Sequence, residues 1–158
     1  MGKVIYLQRK VGDTMADIFD VAQYLKQRYD IYENKKIQKL CYYIQSWYLC
    51  LREKPLFSNN FEAWVNGPVC SELYKDIRYD CFQLGNVNNL SESDKQIIDV
   101  VYNVYGKFTA DQLSERTHNE TPWIEARKGI PRYENSIIRI TKSSMKKYFK
   151  EIIKSFEN

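Results

Sequence analysis

The fold is decided by the stretch Lys36-Ile37-Gln38-Lys39-Leu40-Cys41-Tyr42-Tyr43-Ile44-Gln45-Ser46-Trp47-Tyr48. Its apolar residues recur at intervals of three or four, the spacing that places side chains on one face of an α-helix. With Leu51, this face extends over about four turns. Lys54-Pro55 ends the helix, because the residue before a proline is displaced from helical geometry. We therefore expect a long helix at the centre of the core.

Helical patterns continue on both sides of this central helix. We expect a first helix capped by Thr14, a third helix with Pro68 in its first turn, and later helices that begin at Ser91, Thr109, Thr121 and Thr141. Residues 61–65 and 136–140 are candidate short strands that pair with each other. The predicted fold class is mainly α, a compact single-domain bundle of about six to seven helices with at most a small two-stranded β element.

The composition is that of one ordinary globular domain. Hydrophobic residues make up 44% and charged residues 28%, so wholesale disorder is not expected. The 13 tyrosines suit half-buried positions and contact surfaces, since each has an apolar body and a polar tip. A tyrosine-rich rim of the core explains the excess equally well, so the composition alone does not choose between the two.

The net charge of +4 is too small to indicate a nucleic-acid-binding protein unless it is concentrated in one stripe. Two lysine stripes stand out: Lys35, Lys36 and Lys39, and then Lys142, Lys146, Lys147, Lys150 and Lys154. Both lie on helical segments whose other face is apolar. We interpret them as solvated helix faces, so nucleic acid is not an expected partner.

No apolar run approaches the roughly 20 residues that a membrane helix needs. The start of the chain lacks a secretory signal, and we expect a cytoplasmic protein. The four cysteines have no Cys-x-x-Cys spacing and accompany a single histidine. We interpret them as reduced, mostly buried residues, and expect no metal site and no cofactor.

The usual catalytic motifs are absent from the sequence, including a glycine-rich phosphate loop and a nucleophile elbow. His118 and Glu120 could form a general base with its orienting carboxylate. The interpretation we favour is structural: the two side chains satisfy backbone groups at a corner between helices, packed on Trp123. The protein is therefore not expected to be an enzyme.

The segment Phe61-Glu62-Ala63-Trp64-Val65-Asn66-Gly67-Pro68-Val69 combines aromatic residues with a tight turn. A contact surface for a partner is one interpretation, and a corner that defines the fold, with Trp64 in the core, is the other. The two do not exclude each other for a tryptophan. Both interpretations stay open at this point.

Three segments together resemble the Panacea domain, a family also described as SocA-like or phage-associated. They are Lys36 to Tyr48, then Pro55-Leu56-Phe57 followed by Phe61-Glu62-Ala63-Trp64 and Gly67-Pro68-Val69, and lastly Leu113-Ser114 with Thr117-His118 through Pro122-Trp123. Their order and spacing agree with the family over residues 15–150, roughly. We assign residues 13–158 to this domain, and residues 1–12 to a short N-terminal extension.

The resemblance implies an antitoxin of a bacterial or prophage toxin–antitoxin pair, which neutralises its toxin by direct protein contact. It implies no enzymatic activity. One branch of the family delivers its toxin to a protease, so a proteolytic adaptor is an alternative function with a protease as second partner. The chain departs from the family at Asn66, where an aromatic residue usually precedes Gly-Pro. A contact at that corner is therefore expected to differ.

Our functional hypothesis is an antitoxin whose exposed aromatic anchors fill pockets on a toxin. The candidate binding residues are Tyr42, Tyr43, Trp64, Asn66, Pro68 and Trp123, with Gly67, His118 and Glu120 as structural residues. A nucleic-acid-binding regulator and a phage counter-defence protein are further alternatives. The sequence does not identify the toxin or the oligomeric state.

Overall fold

The computed structural model describes residues 15–81 and 83–157. Over these residues the chain forms seven α-helices and three short strands. In chain order they are α1 (Ile18–Tyr29), α2 (Asn34–Arg52), β1 (Phe61–Trp64), β2 (Gly67–Val69), α3 (Ser71–Tyr79), α4 (Glu92–Tyr105), α5 (Ala110–His118), α6 (Thr121–Ala126), β3 (Arg139–Ile140) and α7 (Lys142–Glu157). A turn of 3-10 helix, Val87–Asn89, lies between α3 and α4. The predicted mainly α class is confirmed, while the expected extension at residues 1–12 lies outside the described residues.

Helix α2 is the centre of the core, as its periodicity predicts. Every residue from 37 to 49 is buried, and α7, α4, α5, α3, α1 and β2 all pack against this helix. A helix surrounded on all sides must satisfy its polar residues internally. Gln45 does so by accepting the backbone N–H of Leu56 at 2.9 Å and donating to the carbonyl of Phe57 at 2.6 Å. Leu51, which we expected to face inward, is exposed. It lies in the last turn of α2, after the buried part of the helix ends at Leu49.

Side-chain caps set where several helices begin. Ser91 and Thr109 cap α4 and α5 in reciprocal capping boxes, and the hydroxyl of Thr141 accepts the N–H of Ser144 at 3.2 Å to cap α7. These three predicted starts are confirmed. The expected start of α1 is wrong, since Asp17 is its cap and forms a capping box with Asp20. Thr14 lies outside the described residues.

The sheet has three antiparallel strands in the order β2-β1-β3, one more than expected. Strand β1 pairs with β3 through Phe61↔Ile140 and Glu62↔Arg139, which confirms the predicted pairing of these two segments. It also pairs with β2 through Trp64↔Gly67, so that residues 65 and 66 form the tip of a tight hairpin. We call residues 61–69 the hairpin. Sequence reasoning missed β2 because its three residues carry no periodic signal.

Pro68 lies in β2, whereas we expected it in the first turn of α3, which begins at Ser71. In a hairpin closed by Trp64 and Gly67, these two residues exchange the ladder hydrogen bonds. The nitrogen of Pro68 therefore points away from β1, and the sheet loses no hydrogen bond there. The prediction failed because proline fits the outside of an edge strand as well as the start of a helix.

Candidate functional site

Two of the predicted binding residues, Tyr42 and Tyr43, lie entirely inside the core of the protein. The ring of Tyr42 meets Phe61 and Phe149 edge-on, at centroid distances of 5.6 and 6.0 Å. The ring of Tyr43 stacks on Tyr105 at 3.9 Å. Neither side chain reaches the surface, so the expectation that both are exposed anchors needs correction. The sequence could not show this, because the side chains that cover Tyr42 and Tyr43, including Phe149 and Tyr105, are distant in sequence.

Pro68 and Trp123 are also buried, and the hydrogen bonds of both fix the position of the hairpin. The indole Nε1 of Trp123 donates to the carbonyl of Trp64 at 2.8 Å. The carbonyl of Pro68 accepts from the ammonium group of Lys39 at 3.0 Å. Their contacts are internal, which corrects the expectation that they are exposed anchors.

Trp64 and Asn66 are the predicted binding residues that the structure places at the surface. Trp64 is half-buried, with its ring 5.0 Å from that of Tyr74 in α3, and its Nε1 donates to Glu62 at 2.7 Å. Asn66 is exposed at the tip of the hairpin. Its side chain has no role in the core, so the departure from an aromatic residue at this position changes only the surface.

The tip of the hairpin is held by four side chains that bind four consecutive carbonyls. The carbonyl of Ala63 accepts from Arg127 at 2.9 Å, that of Trp64 from Trp123, and that of Val65 from Arg132 at 3.0 Å. The carbonyl of Asn66 accepts from the hydroxyl of Ser114. We call Ser114, Trp123, Arg127 and Arg132 the hairpin clamp. A turn fixed by four side chains presents its residues in one conformation, which lowers the entropy lost on binding.

Sequence reasoning found Trp123 and missed the other three members of the hairpin clamp. Ser114 stood in a segment chosen for its resemblance to the family, with no role assigned. The two arginines lie in the segment after α6, where no periodicity or motif marks them. Five donors in a fixed fork make arginine suited to several carbonyls at once, but only the fold shows which carbonyls are near.

Lys39 lies beneath the hairpin, although we expected it on a solvated helix face. It is 1% exposed, and burial lowers the pKa of its ammonium group to about 7. A Cβ atom at Gly67 would lie only 2.7 Å from Cε of Lys39 and 2.8 Å from Oγ1 of Thr117. Gly67 also has a φ of +113°, a conformation that side chains disfavour. The predicted structural role of Gly67 therefore has two physical causes, its backbone conformation and this close approach.

His118 and Glu120 have side-chain partners that differ from the expected backbone groups. Glu120 accepts from the hydroxyl of Tyr43 at 3.0 Å, and burial raises the pKa of its carboxyl to about 7. Nδ1 of His118 lies 3.0 Å from the guanidinium of Arg132, and the imidazole packs on Trp123 at 4.4 Å, as expected. Burial, together with Arg132, lowers the pKa of His118 to about 4, so the ring is neutral at pH 7.

This arrangement does not bring a catalytic pair together. The carboxylate of Glu120 faces α2, and the ring of His118 faces the segment after α6, so the carboxylate does not orient the imidazole. Over residues 15–81 and 83–157, no group of three His, Cys, Asp or Glu side chains is placed to hold a metal ion. The four cysteines are free thiols. In the same part of the chain, no helix is long and apolar enough to cross a membrane.

The fold and the hairpin define a small, mainly helical protein. The aromatic segment of residues 61–69 forms an exposed turn, and Trp123 helps to hold this turn in place. A family model described as "Antitoxin SocA-like, Panacea domain" matches residues 37–124, which is more than half of the chain. The chain belongs to this family. The match runs from α2 to α6 and so includes the hairpin and half of its clamp, but it is shorter than the region from 15 to 150 over which we noted the resemblance. Searches of curated proteins and of solved structures returned no match.

Proposed function

We propose that this protein is the antitoxin of a bacterial or prophage toxin–antitoxin pair, and that it neutralises its toxin by direct contact. The observation that carries the proposal is membership of the antitoxin family over residues 37–124. The site geometry is consistent with a binding protein, because the hairpin is rigid and its tip is exposed. No enzymatic step, metal ion or cofactor is part of the proposed mechanism.

Contact with the toxin is centred on the tip of the hairpin. Trp64 offers a large half-buried aromatic surface, backed by Tyr74, and Asn66 beside it offers an exposed amide. Aromatic side chains held in one conformation are frequent anchors of protein interfaces. Since the hairpin clamp fixes the backbone under both residues, the toxin meets a preformed surface.

The alternative of a nucleic-acid-binding regulator is weakened by the charge pairs on α7. Lys146 lies 2.6 Å and Lys150 3.9 Å from the carboxylate of Glu53, and Lys154 lies 3.4 Å from Glu151. Three lysines of the stripe are thus close to carboxylates, which reduces the positive potential that phosphate binding requires. The other alternative, a proteolytic adaptor, also binds the toxin. Measuring the half-life of the toxin in cells with and without this protein distinguishes an adaptor, which shortens it, from an antitoxin that neutralises by contact alone.

Co-expression with each neighbouring gene tests the proposal. We expect one neighbour to be toxic when expressed alone, to be harmless with this protein, and to co-purify with it. The variant Trp64→Ala should weaken the complex by roughly thirtyfold, as the loss of one interface anchor does. Tyr32→Ala is the matched control, because Tyr32 is also an exposed aromatic residue but lies between α1 and α2. If no neighbour is toxic and none co-purifies, the antitoxin function is wrong.

A further inference from the structure

Positive charge is concentrated in the segment of residues 127–142, which joins α6 to α7 and contains β3. This segment holds five of the 24 basic residues of the chain and one of the 20 acidic residues. Its net charge of +4 equals that of the whole protein, so the remainder of the chain is neutral. Ion pairs among the described residues involve other parts of the chain and leave these five basic residues without a carboxylate partner.

Within the described residues, the hydrogen bonds of this segment leave its positive charge uncompensated, because Arg127, Arg132 and Lys142 all bind neutral acceptors. Arg132 binds the carbonyl of Val65 and Nδ1 of His118, and Lys142 binds the side-chain oxygen of Asn60 at 2.8 Å. Arg139 stands opposite Glu62 in the sheet, but these two residues form no ion pair among those of the described residues. A positive field therefore extends outward from this part of the surface.

The same segment also exposes apolar side chains. Tyr133 is 84% exposed, Ile137 75% and Ile138 50%, and Ile124 in the adjacent helix α6 is 48% exposed. Single exposed hydrophobic residues are ordinary, but several within one short segment are typical of an interaction site. Tyr133, Ile137 and Ile138 lie beyond residue 124, where the match to the family model ends.

Arg127 fixes the backbone of this segment before any partner binds. Besides the carbonyl of Ala63, its guanidinium donates to the carbonyls of Pro131 at 3.0 Å, Arg132 at 3.3 Å and Glu134 at 2.5 Å. Tyr133 lies within this run of bound carbonyls and contributes nothing to the core. A buried arginine thus orders a loop whose side chains point to solvent, which lowers the entropy lost when a partner binds them.

We propose that residues 127–142 form a docking surface for a protein segment that carries apolar side chains between carboxylates. The apolar side chains contact Tyr133 and Ile137, and the carboxylates face Lys128 and Arg139. The exposed isoleucines favour a protein over a nucleic acid as the partner, because apolar side chains form no favourable contact with phosphate groups. The inference rests on the proposed function in one respect, namely that the acidic segment belongs to the toxin. The surface continues from the hairpin tip, to which Arg132 is bonded.

A displayed library of random short peptides tests the chemistry of this surface without the toxin. We expect the protein to enrich peptides that combine Asp or Glu with large apolar residues. Ile137→Ser and the double variant Lys128→Glu, Arg139→Glu should each abolish this enrichment. Leu84→Ser and Lys75→Glu are matched controls, since Leu84 is 78% exposed and Lys75 is exposed on α3, and both should bind like the wild type. Enrichment that lacks acidic residues, or that survives both surface variants, overturns the proposal.

Two further probes distinguish other sources of negative charge. The protein is titrated with a duplex DNA and with vesicles of phosphatidylglycerol and phosphatidylcholine. We expect that neither the DNA nor the vesicles bind the protein in a way that depends on Ile137. Binding to DNA or to vesicles that Ile137→Ser removes would overturn the proposal in favour of that partner. Far-UV circular dichroism of every variant shows that the fold is retained.

The toxin found by co-expression then separates this proposal from the proposed function. Tyr133→Ala should weaken its binding by roughly thirtyfold, while Tyr79→Ala, at a residue 67% exposed on α3, should not. If the wild type binds the toxin and Tyr133→Ala binds it equally well, this surface is wrong and the antitoxin function stands. If no toxin binds while the peptide result holds, the surface stands and the antitoxin function is wrong.

Discussion

Replacing Lys39 by methionine should change how the stability of the protein depends on pH. Lys39 is buried beneath the hairpin, where, among residues 15–81 and 83–157, it has one hydrogen bond, to the carbonyl of Pro68, and no ion pair with a carboxylate. Burial of its charge lowers the pKa to about 7 from the ordinary value of 10.5. Because the pKa is lower in the folded state, the unfolded chain binds the extra proton between these two values. Folding therefore becomes more favourable as the pH rises from 7 to 10.5.

The size of this effect follows from the two pKa values. A tenfold difference in proton affinity is worth about 1.4 kcal/mol, so the gap between 10.5 and about 7 corresponds to about 5 kcal/mol. Methionine has a similar length and no charge, but it leaves the carbonyl of Pro68 without its donor, which costs about 1 kcal/mol. Lys39→Met should thus be more stable than the wild type below pH 7. Its advantage should shrink by about 1.4 kcal/mol for each pH unit above 7.

Urea denaturation of the wild type and Lys39→Met across this pH range measures the difference directly. Other groups, including the buried tyrosines, titrate in both proteins, so their contributions cancel in the difference. Lys75→Met is the control, because Lys75 is exposed and its replacement should give a difference that does not change with pH. A difference between Lys39→Met and the wild type that is equally flat with pH would refute the reasoning about the buried charge.

Three other substitutions test the hairpin and its supports. Gly67→Ala should destabilise the protein by about 3 kcal/mol in urea denaturation, because the residue has a positive φ and its new Cβ would collide with Lys39 and Thr117. A loss of stability below about 1 kcal/mol would contradict this prediction. In the wild type, the raised pKa of Glu120 keeps a proton on the folded carboxyl, so this group makes the stability fall as the pH rises from 4.5 to about 7. Glu120→Gln should remove this fall. Parallel curves of stability against pH for the two proteins would be inconsistent with that pKa. Arg127→Met should destabilise the protein by at least about 3 kcal/mol. It should also accelerate amide hydrogen exchange at residues 131–134, because their carbonyls lose a shared donor. Unchanged exchange at these residues would show that the loop is held by other contacts.

Local signals in the sequence were sufficient for most of the helices. The capping residues of α4, α5 and α7 and the apolar period of α2 act over a few residues, so their effects can be read without knowing the fold. The pairing of β1 with β3 could also be predicted, because few apolar segments were left unassigned. Strand β2 and the position of Pro68 were missed, since a three-residue strand depends on its neighbour for stability.

The candidate site was less predictable because burial depends on the whole fold. Tyr42 and Tyr43 resembled surface aromatics, but α2 is surrounded on all sides, and their burial follows from helices that are distant in sequence. Lys39 was assigned to a solvated face for the same reason. The roles of Arg127 and Arg132 depend on carbonyls more than sixty residues earlier in the chain, which no spacing rule connects.

Hydrogen exchange of this protein with and without its toxin would test most directly that toxin binding uses the hairpin tip and the adjacent segment 127–142. The account predicts slower amide exchange at residues 65–66 and 132–138 in the complex, and unchanged exchange in α1 and in the loop before α4. Protection confined to α1, α4 or that loop would contradict the account, as would a toxin that leaves exchange unchanged throughout the chain.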